Sequence, residues 1–165
     1  MNTHVKIVQV DFSNAQHLKH LAAMLLEYSK DIMGGGEALS PQVIENSISL
    51  LAEKNYAVSF LAYDNEQAIG FANCFENIAT FKGRTALNIH DIAVIPSFRK
   101  QGVATALLGA IETYARKNNM AKITLEVLGG NHPAKSAYSK FGFQGYQLDP
   151  KMGEAVFWQK MLNAQ

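Results

Sequence analysis

Residues Ile89–Thr105 read IHDIAVIPSFRKQGVAT. The run that ends at Val94 is apolar and rich in β-branched residues, which suits a strand. Pro96 stops that strand because it has no N–H to donate. Arg99, Lys100 and Gly102 then make a basic, glycine-containing loop. Beyond Gly102, the apolar residues Val103, Leu107, Leu108, Ile111, Tyr114 and Ala115 recur on one face of a long helix. Glu112 and Arg116 form a favourably oriented i,i+4 pair, and Asn118-Asn119 closes the helix with Arg116 and Lys117 on its negative end. Lys122–Val127 is a second strand. The unit strand 85–94, helix 103–118, strand 122–127 is a βαβ crossover, which predicts parallel strands and a right-handed connection.

Outward from this unit the pattern is equally regular. Val5–Val10 reads as a strand, and Ser13 or Asn14 can cap the helix carrying Leu18, Leu21, Ala22, Leu25 and Leu26. Gly34–Gly36 ends that helix, and Ser40-Pro41 starts another with Ile44, Ile48 and Leu51 on one side. Tyr56–Tyr63 and Ala68–Glu76 form a hairpin across Asp64–Gln67, and Thr85–Val94 completes the meander. After the crossover come the loop Gly129-Gly130-Asn131 and a short helix from Pro133 to Gly142. Two closing strands are expected over Phe143–Leu148 and Ala155–Met161. No break in composition suggests a second domain, so residues 1–165 are expected to form one. The order predicts a mixed sheet with helices on its faces.

Composition narrows the function. Lys+Arg is 15 against 14 for Asp+Glu, so bulk charge does not draw this chain to nucleic acid. A single cysteine, Cys74, excludes a disulfide framework and a cysteine-based zinc site. No apolar run reaches membrane-spanning length, and the start lacks a signal-peptide core, so a soluble cytoplasmic protein is expected. His17 and His20 lie i,i+3 on the first helix with no further ligand to make a metal set.

The loop between Val94 and the long helix is where chemistry can sit. A helix N-terminus offers unpaired N–H groups and a partial positive charge. Gly102 and Ala104 let a ligand come close to the backbone, and Arg99 and Lys100 add charge, which is the logic of a diphosphate cradle. An ordinary strand–helix turn with a solvated basic pair would look the same. The chain has no P-loop, no Rossmann glycine fingerprint and no nucleophile elbow.

Arg99-x-x-Gly102-x-Ala104 resembles the [RQ]-x-x-G-x-[GA] signature of the GNAT N-acetyltransferase superfamily. Asn131-His-Pro-Ala134-x-x-x-Tyr138-x-x-x-Gly142-Phe143 resembles the asparagine, helix, tyrosine and Gly-Phe that follow it there. The two motifs fall on the expected elements, which raises their specificity. The resemblance implies a twisted, mostly antiparallel α/β sheet of about six or seven strands with about four helices and a splayed central parallel pair. It implies acetyl-coenzyme A as co-substrate. The backbone of Lys100, Gln101, Gly102, Val103, Ala104 and Thr105, following Arg99, would hold the diphosphate. Ile92, Ala93 and Val94 would bond the pantetheine arm, Asn131 would contact it, and Tyr138 would sit near the sulfur.

The implied reaction is direct attack of an amine on the thioester. It needs a base, a polarised carbonyl and a proton for the thiolate. Tyr138 is the candidate acid, although Ala134, Ala137, Tyr138 and Phe141 share one helix face and Tyr138 could be core. His90 and Asp91 are the candidate bases, expected on opposite faces of their strand. Histidine departs from the acidic residue common at its place in the family, and a neutral imidazole is competent near pH 7. A buried structural His90 and an Asp91 that anchors a loop are the plain alternatives. Glu76 could bind a cationic acceptor, and Gly34–Gly36 could be a flap or a simple linker.

These readings favour N-acetylation of a small-molecule or peptide amine. A non-catalytic acyl-coenzyme A sensor is the competing class, and it would need neither Tyr138 nor a base. A nicotinamide oxidoreductase has only the βαβ unit behind it. The C-terminal run with Phe157 and Trp158 could make a homodimer or cover its own sheet edge.

Overall fold

The computed structural model describes residues 5–147, 149, 151, 153 and 155–162. They fall into two compact units, the first ending at Leu128 and the second beginning at Gly129.

The first unit contains β1 (Val5–Gln9), α1 (Ala15–Lys30), α2 (Pro41–Glu53), β2 (Ala57–Asp64), β3 (Gln67–Ala79), β4 (Arg84–Val94), α3 (Val103–Lys117) and β5 (Ile123–Leu125). The strands form one sheet in the order β1-β2-β3-β4-β5. All neighbours are antiparallel except β4 and β5, the parallel pair that the crossover predicts.

Local chemistry sets the element ends. Asn14 caps α1, its side chain accepting the N–H groups of Gln16 and His17. Ser13 does not, because its hydroxyl is spent on Asp11 Oδ1 at 2.6 Å. Ser40 caps α2, with Pro41 following it. At the far end of α3, Asn119 takes φ 52° and the N–H of Met120 returns to the Ala115 carbonyl.

Successive residues of β2 show the two layers. Leu61 and Tyr63 pack with Leu21, Met24 and Leu25 of α1, while Phe60, the residue before Leu61, meets Tyr114 of α3 with ring centroids 6.0 Å apart. So α1 and α2 cover one face and α3 the other, burying Val103, Leu107, Leu108 and Ile111. Gly70 permits this on the α3 side: a Cβ there would lie 2.9 Å from the Ala93 carbonyl oxygen and 3.4 Å from Val103.

The second unit contains α4 (His132–Phe141), which ends at Gly142 in the left-handed region, φ 110°. The two closing strands expected here are absent from the described residues. Residues 143–147 and 155–161 carry no ladder, and Leu148 lies outside the described residues. The physical reason is partnership. Strand propensity expresses itself only against a neighbour, and these two runs share one described backbone bond, from the Ala155 N–H to the Tyr146 carbonyl at 3.2 Å. Among the described residues the sheet therefore has five strands.

Candidate functional site

The site is built where β4 outlasts β5. Their pairing runs over Leu87↔Ile123, Asn88↔Thr124 and Ile89↔Leu125, and there it stops. β4 continues to Val94 with no β5 partner, so its edge beyond Ile89 offers main-chain groups to a ligand.

At the end of β4 the chain turns through Pro96–Phe98 into α3. Lys100 and Gly102 both take positive φ, 61° and 85°. Gly102 occupies the N-cap position and no side chain caps the helix. The first N–H groups of α3 thus have neither an intrahelical partner nor a side-chain cap, and they sit at the positive end of the dipole. A Cβ at Gly102 would meet nothing within 4 Å, so glycine is set there by φ and not by crowding. Arg99 is not a loose surface cation. Its Nε donates to the Val94 carbonyl at 2.9 Å and its Nη2 to Asp31 Oδ2 at 2.5 Å.

The candidate bases are arranged differently from expectation. On β3, Asn73 pairs with Asp91 but the next residue, Cys74, pairs with Ile89. His90 is the extra residue of a β-bulge, and a bulge breaks strict alternation. His90 lies against Phe75 with ring centroids 5.3 Å apart, while Asp91 Oδ2 accepts from Asn73 Nδ2 at 3.0 Å. Asn73 and Phe75 are two apart on β3 and share a face, so His90 and Asp91 both address the α1–α2 side. The expectation of opposite faces is overturned by this one inserted residue. The alternative of a buried His90 also fails, because it is exposed.

Behind Asp91 stands a polar chain inside the core. Ser59 Oγ donates to Asn73 Oδ1 at 2.7 Å, which turns the amide nitrogen of Asn73 toward Asp91. Ser59 and Asn73 are both buried. Tyr28 of α1 lies edge-on to Phe71, its ring centroid 5.9 Å away. Burial, then the charges of Asp91 and Asp31, push its phenol above the usual range. Tyr28, Asp31, Phe71, Ala93, Pro96 and Arg99 line a cleft of about 300 Å³ between the end of α1 and the end of β4.

Other candidates are placed as follows. Glu76 accepts from Tyr114 Oη at 2.8 Å, which ties it to the α3 side. Burial, followed by that bond, pushes the Tyr114 phenol up to about 12. Cys74 is buried and its thiol is likewise pushed up to about 12 by burial, the state of an inert core thiol. His17 Nδ1 accepts the Asp11 N–H, and His20 shares bonds with Tyr63 and Gln16. Among the described residues no group of three or more potential ligands could hold a metal, and no helix is long and apolar enough to cross a membrane. Gly34–Gly36 is a hydrogen-bonded turn, the N–H groups of Gly34 and Gly36 both reaching the Asp31 carbonyl.

Asn131 and Tyr138 belong to the second unit. Asn131 Oδ1 caps α4 by accepting the Ala134 N–H at 3.2 Å. The Tyr138 ring meets Phe143 at 5.9 Å, and its carbonyl accepts from Gly142 and Phe143. Several residues escaped the sequence reading, Tyr28, Ser59 and Asn73 above among them. Glu126 follows the last β4–β5 pair, with both carboxylate oxygens 3.4 Å from Asn88 Nδ2. Alternation along Lys122–Val127, which puts Thr124 and Glu126 on one face, was the available signal. Asp31 had none, because its partner Arg99 is 68 residues away.

Known proteins are similar to this chain in sequence and in fold. The chain is 26% identical over 108 residues to the uncharacterized N-acetyltransferase YhfO of Bacillus subtilis, covering 66% of this chain and 72% of that one. It is 32% identical over 92 residues to N-alpha-acetyltransferase 30 of Schizosaccharomyces pombe, covering 54% of this chain and 59% of that one. The fold matches an aminoglycoside N-acetyltransferase solved in complex with CoA, with a TM-score of 0.74, 21% identity and 95% of each chain covered. Residues 22–143, well over half of the chain, match the acetyltransferase (GNAT) family. The chain belongs to that family and is an acetyl-transferring enzyme.

Proposed function

We propose that this protein transfers the acetyl group of acetyl-coenzyme A to a primary amine by direct attack in a ternary complex, with residues 1–165 acting as one functional domain. The observation that carries the reading is the uncapped start of α3. Its free N–H groups follow the left-handed Gly102, beside Arg99 and Lys100 and just past the unpaired edge of β4. That combination suits an extended ligand with a diphosphate at one end and amide groups along its length.

In this reading the N–H groups of Val103, Ala104 and Thr105 take the diphosphate, with the backbone of Lys100 and Gln101 beside them. The edge of β4 at Ile92, Ala93 and Val94, past the end of β5, bonds the pantetheine amides, with Asn131 as a further contact. Asp91 or His90 takes a proton from the attacking ammonium. The amine nitrogen then bonds to the thioester carbon, whose oxygen is stabilised by a main-chain N–H of β4. The C–S bond breaks as Tyr138 gives its proton to the thiolate, and the second proton shed by the acylated nitrogen restores the phenol. One relative is an N-alpha-acetyltransferase and one structural neighbour an aminoglycoside N-acetyltransferase, so the acceptor is sought among peptide N-termini and small amines.

The test is calorimetric titration with acetyl-coenzyme A, with NAD as control, followed by an amine panel read by thiol release. The expected result is saturable binding of acetyl-coenzyme A, none of NAD, and turnover of at least one amine. Absence of acetyl-coenzyme A binding by folded, ligand-free protein would overturn the reading of the Arg99–Thr105 loop. Binding without turnover would place the acceptor outside both amine classes.

A further inference from the structure

Asp31 uses all four of its polar atoms. Its N–H donates to the Tyr28 carbonyl, and its own carbonyl accepts from Gly34 and Gly36 at 2.8 and 2.9 Å. Oδ1 accepts the Met33 N–H at 2.9 Å, and Oδ2 accepts from Arg99 Nη2 at 2.5 Å. Its side chain is 18% exposed. The Met33 N–H, then Arg99, hold its carboxyl below the usual range. One residue therefore organises the whole turn after α1 and reaches across to the loop before α3.

The turn has little freedom to shift against α1. A Cβ at Gly34 would stand 2.1 Å from the Tyr28 carbonyl oxygen. Tyr28 Oη also reaches the Met33 carbonyl at 3.3 Å. On the other side, Arg99 is held at two points, Val94 O and Asp31. A guanidinium has five N–H donors in a rigid fork, so a third, anionic partner can be added without breaking either bond. Asp31, Arg99 and Tyr28 all line the cleft beside β4.

We infer that Asp31 is a positioning residue: through Arg99 it ties the 31–36 turn to the diphosphate loop, so that filling the loop firms the cleft wall. This rests on the donor-loop reading above. An anion at the start of α3 fixes the guanidinium, the guanidinium fixes the Asp31 carboxylate, and the carboxylate fixes the amides of the turn. The strut carries its effect across 68 residues of chain in one side-chain contact.

Hydrogen exchange on the full chain tests it, with acetyl-coenzyme A as the probe and calorimetry run in parallel. In the wild type, saturating acetyl-coenzyme A is expected to slow exchange at Met33, Gly34 and Gly36 by about tenfold or more. Asp31→Asn keeps an oxygen for the Met33 N–H but loses the charge facing Arg99. It should still bind acetyl-coenzyme A, within about tenfold of the wild type, and lose the slowing. Asp31→Glu, which keeps the charge, should restore part of it. Should Asp31→Asn fail to fold, Arg99→Lys breaks the fork from the other side and should also lose the slowing. Equal slowing in the wild type and the charge-breaking variant would overturn the inference, as would bound acetyl-coenzyme A with no slowing in the wild type. Absence of calorimetric binding to the wild type would instead bring down the donor-loop reading, and this inference with it.

Discussion

The first unit and the second unit have similar apolar patterning but different outcomes. Residues 57–64 and 155–161 are both apolar, β-prone runs. The former became β2 because β3 flanks it over its whole length and β1 over residues 60–64. The latter has one described backbone bond to the other tail run. In the first unit Leu21, Leu61, Ile69 and Leu107 are fully buried, whereas Phe157, Trp158 and Leu162 stand exposed. The difference teaches that side-chain pattern nominates a strand and backbone partnership makes one.

In the proposed reaction the candidate bases belong to the first unit and the candidate acid to the second. The largest expected effect breaks or upholds that division. Asp91→Asn should lower kcat by about 10²- to 10⁴-fold for an amine that turns over, the usual range for a lost general base. Tyr138→Phe should lower kcat with little change in acetyl-coenzyme A affinity. Steady-state kinetics and calorimetry on the two variants decide this. If Tyr138→Phe turns over like the wild type, the second unit supplies no proton. If Asp91→Asn does so, His90 is left as the base candidate on that face.

Stability gives the next test. Phe71 is 1% exposed in the layer between α1 and the sheet, with the edge of Tyr28 against it. Phe71→Ala should cost about 3–5 kcal/mol in urea unfolding, transfer and cavity together. A loss below about 1 kcal/mol would mean that this layer collapses around the vacancy and is less tightly packed than its burial implies.

What could be read in advance followed the range of the cause. Ser40 as a cap and Pro96 as a strand stop are decided within a few residues, and each was legible; Gly102 was singled out for close approach of a ligand, whereas its positive φ is what sets glycine there. So was the parallel pairing of β4 and β5, because a strand, a helix and a strand in sequence permit little else. The bulge at His90 was not legible. It depends on how β4 registers against β3, and one inserted residue moved a candidate base to the other face. The Ser59–Asn73–Asp91 chain and the Asp31–Arg99 pair were hidden for the same reason: each joins elements distant in sequence. The loop that suggests a donor site is local and could be found. The groups that would do acid–base work are set by tertiary register.

A smaller effect separates local from long-range contributions at Asp31. Its carboxyl is lowered by the Met33 N–H and then by Arg99, so its contribution is fully present above the ordinary carboxyl range near pH 4. It is lost as pH falls through the lowered folded value. Arg99 is half exposed, so screening holds the ion-pair part to about 1 kcal/mol or less. Urea midpoints taken from about pH 6 to about pH 3 should therefore fall less steeply for Asp31→Asn than for the wild type. Parallel curves would assign the acid loss to other carboxyls.

The smallest expected change bears most directly on the comparison of the two units. Trp158 is 86% exposed, so Trp158→Ala should move the unfolding free energy by no more than about 0.5 kcal/mol. A larger loss would mean that the indole is buried in solution, and protein concentration then tells by what. A midpoint that rises with concentration places the ring against a second copy, since association stabilises the folded state by mass action. A concentration-independent midpoint places it against its own chain. The apolar run 155–161 would then have found the partner that its pattern asks for, and the contrast between the two units would narrow.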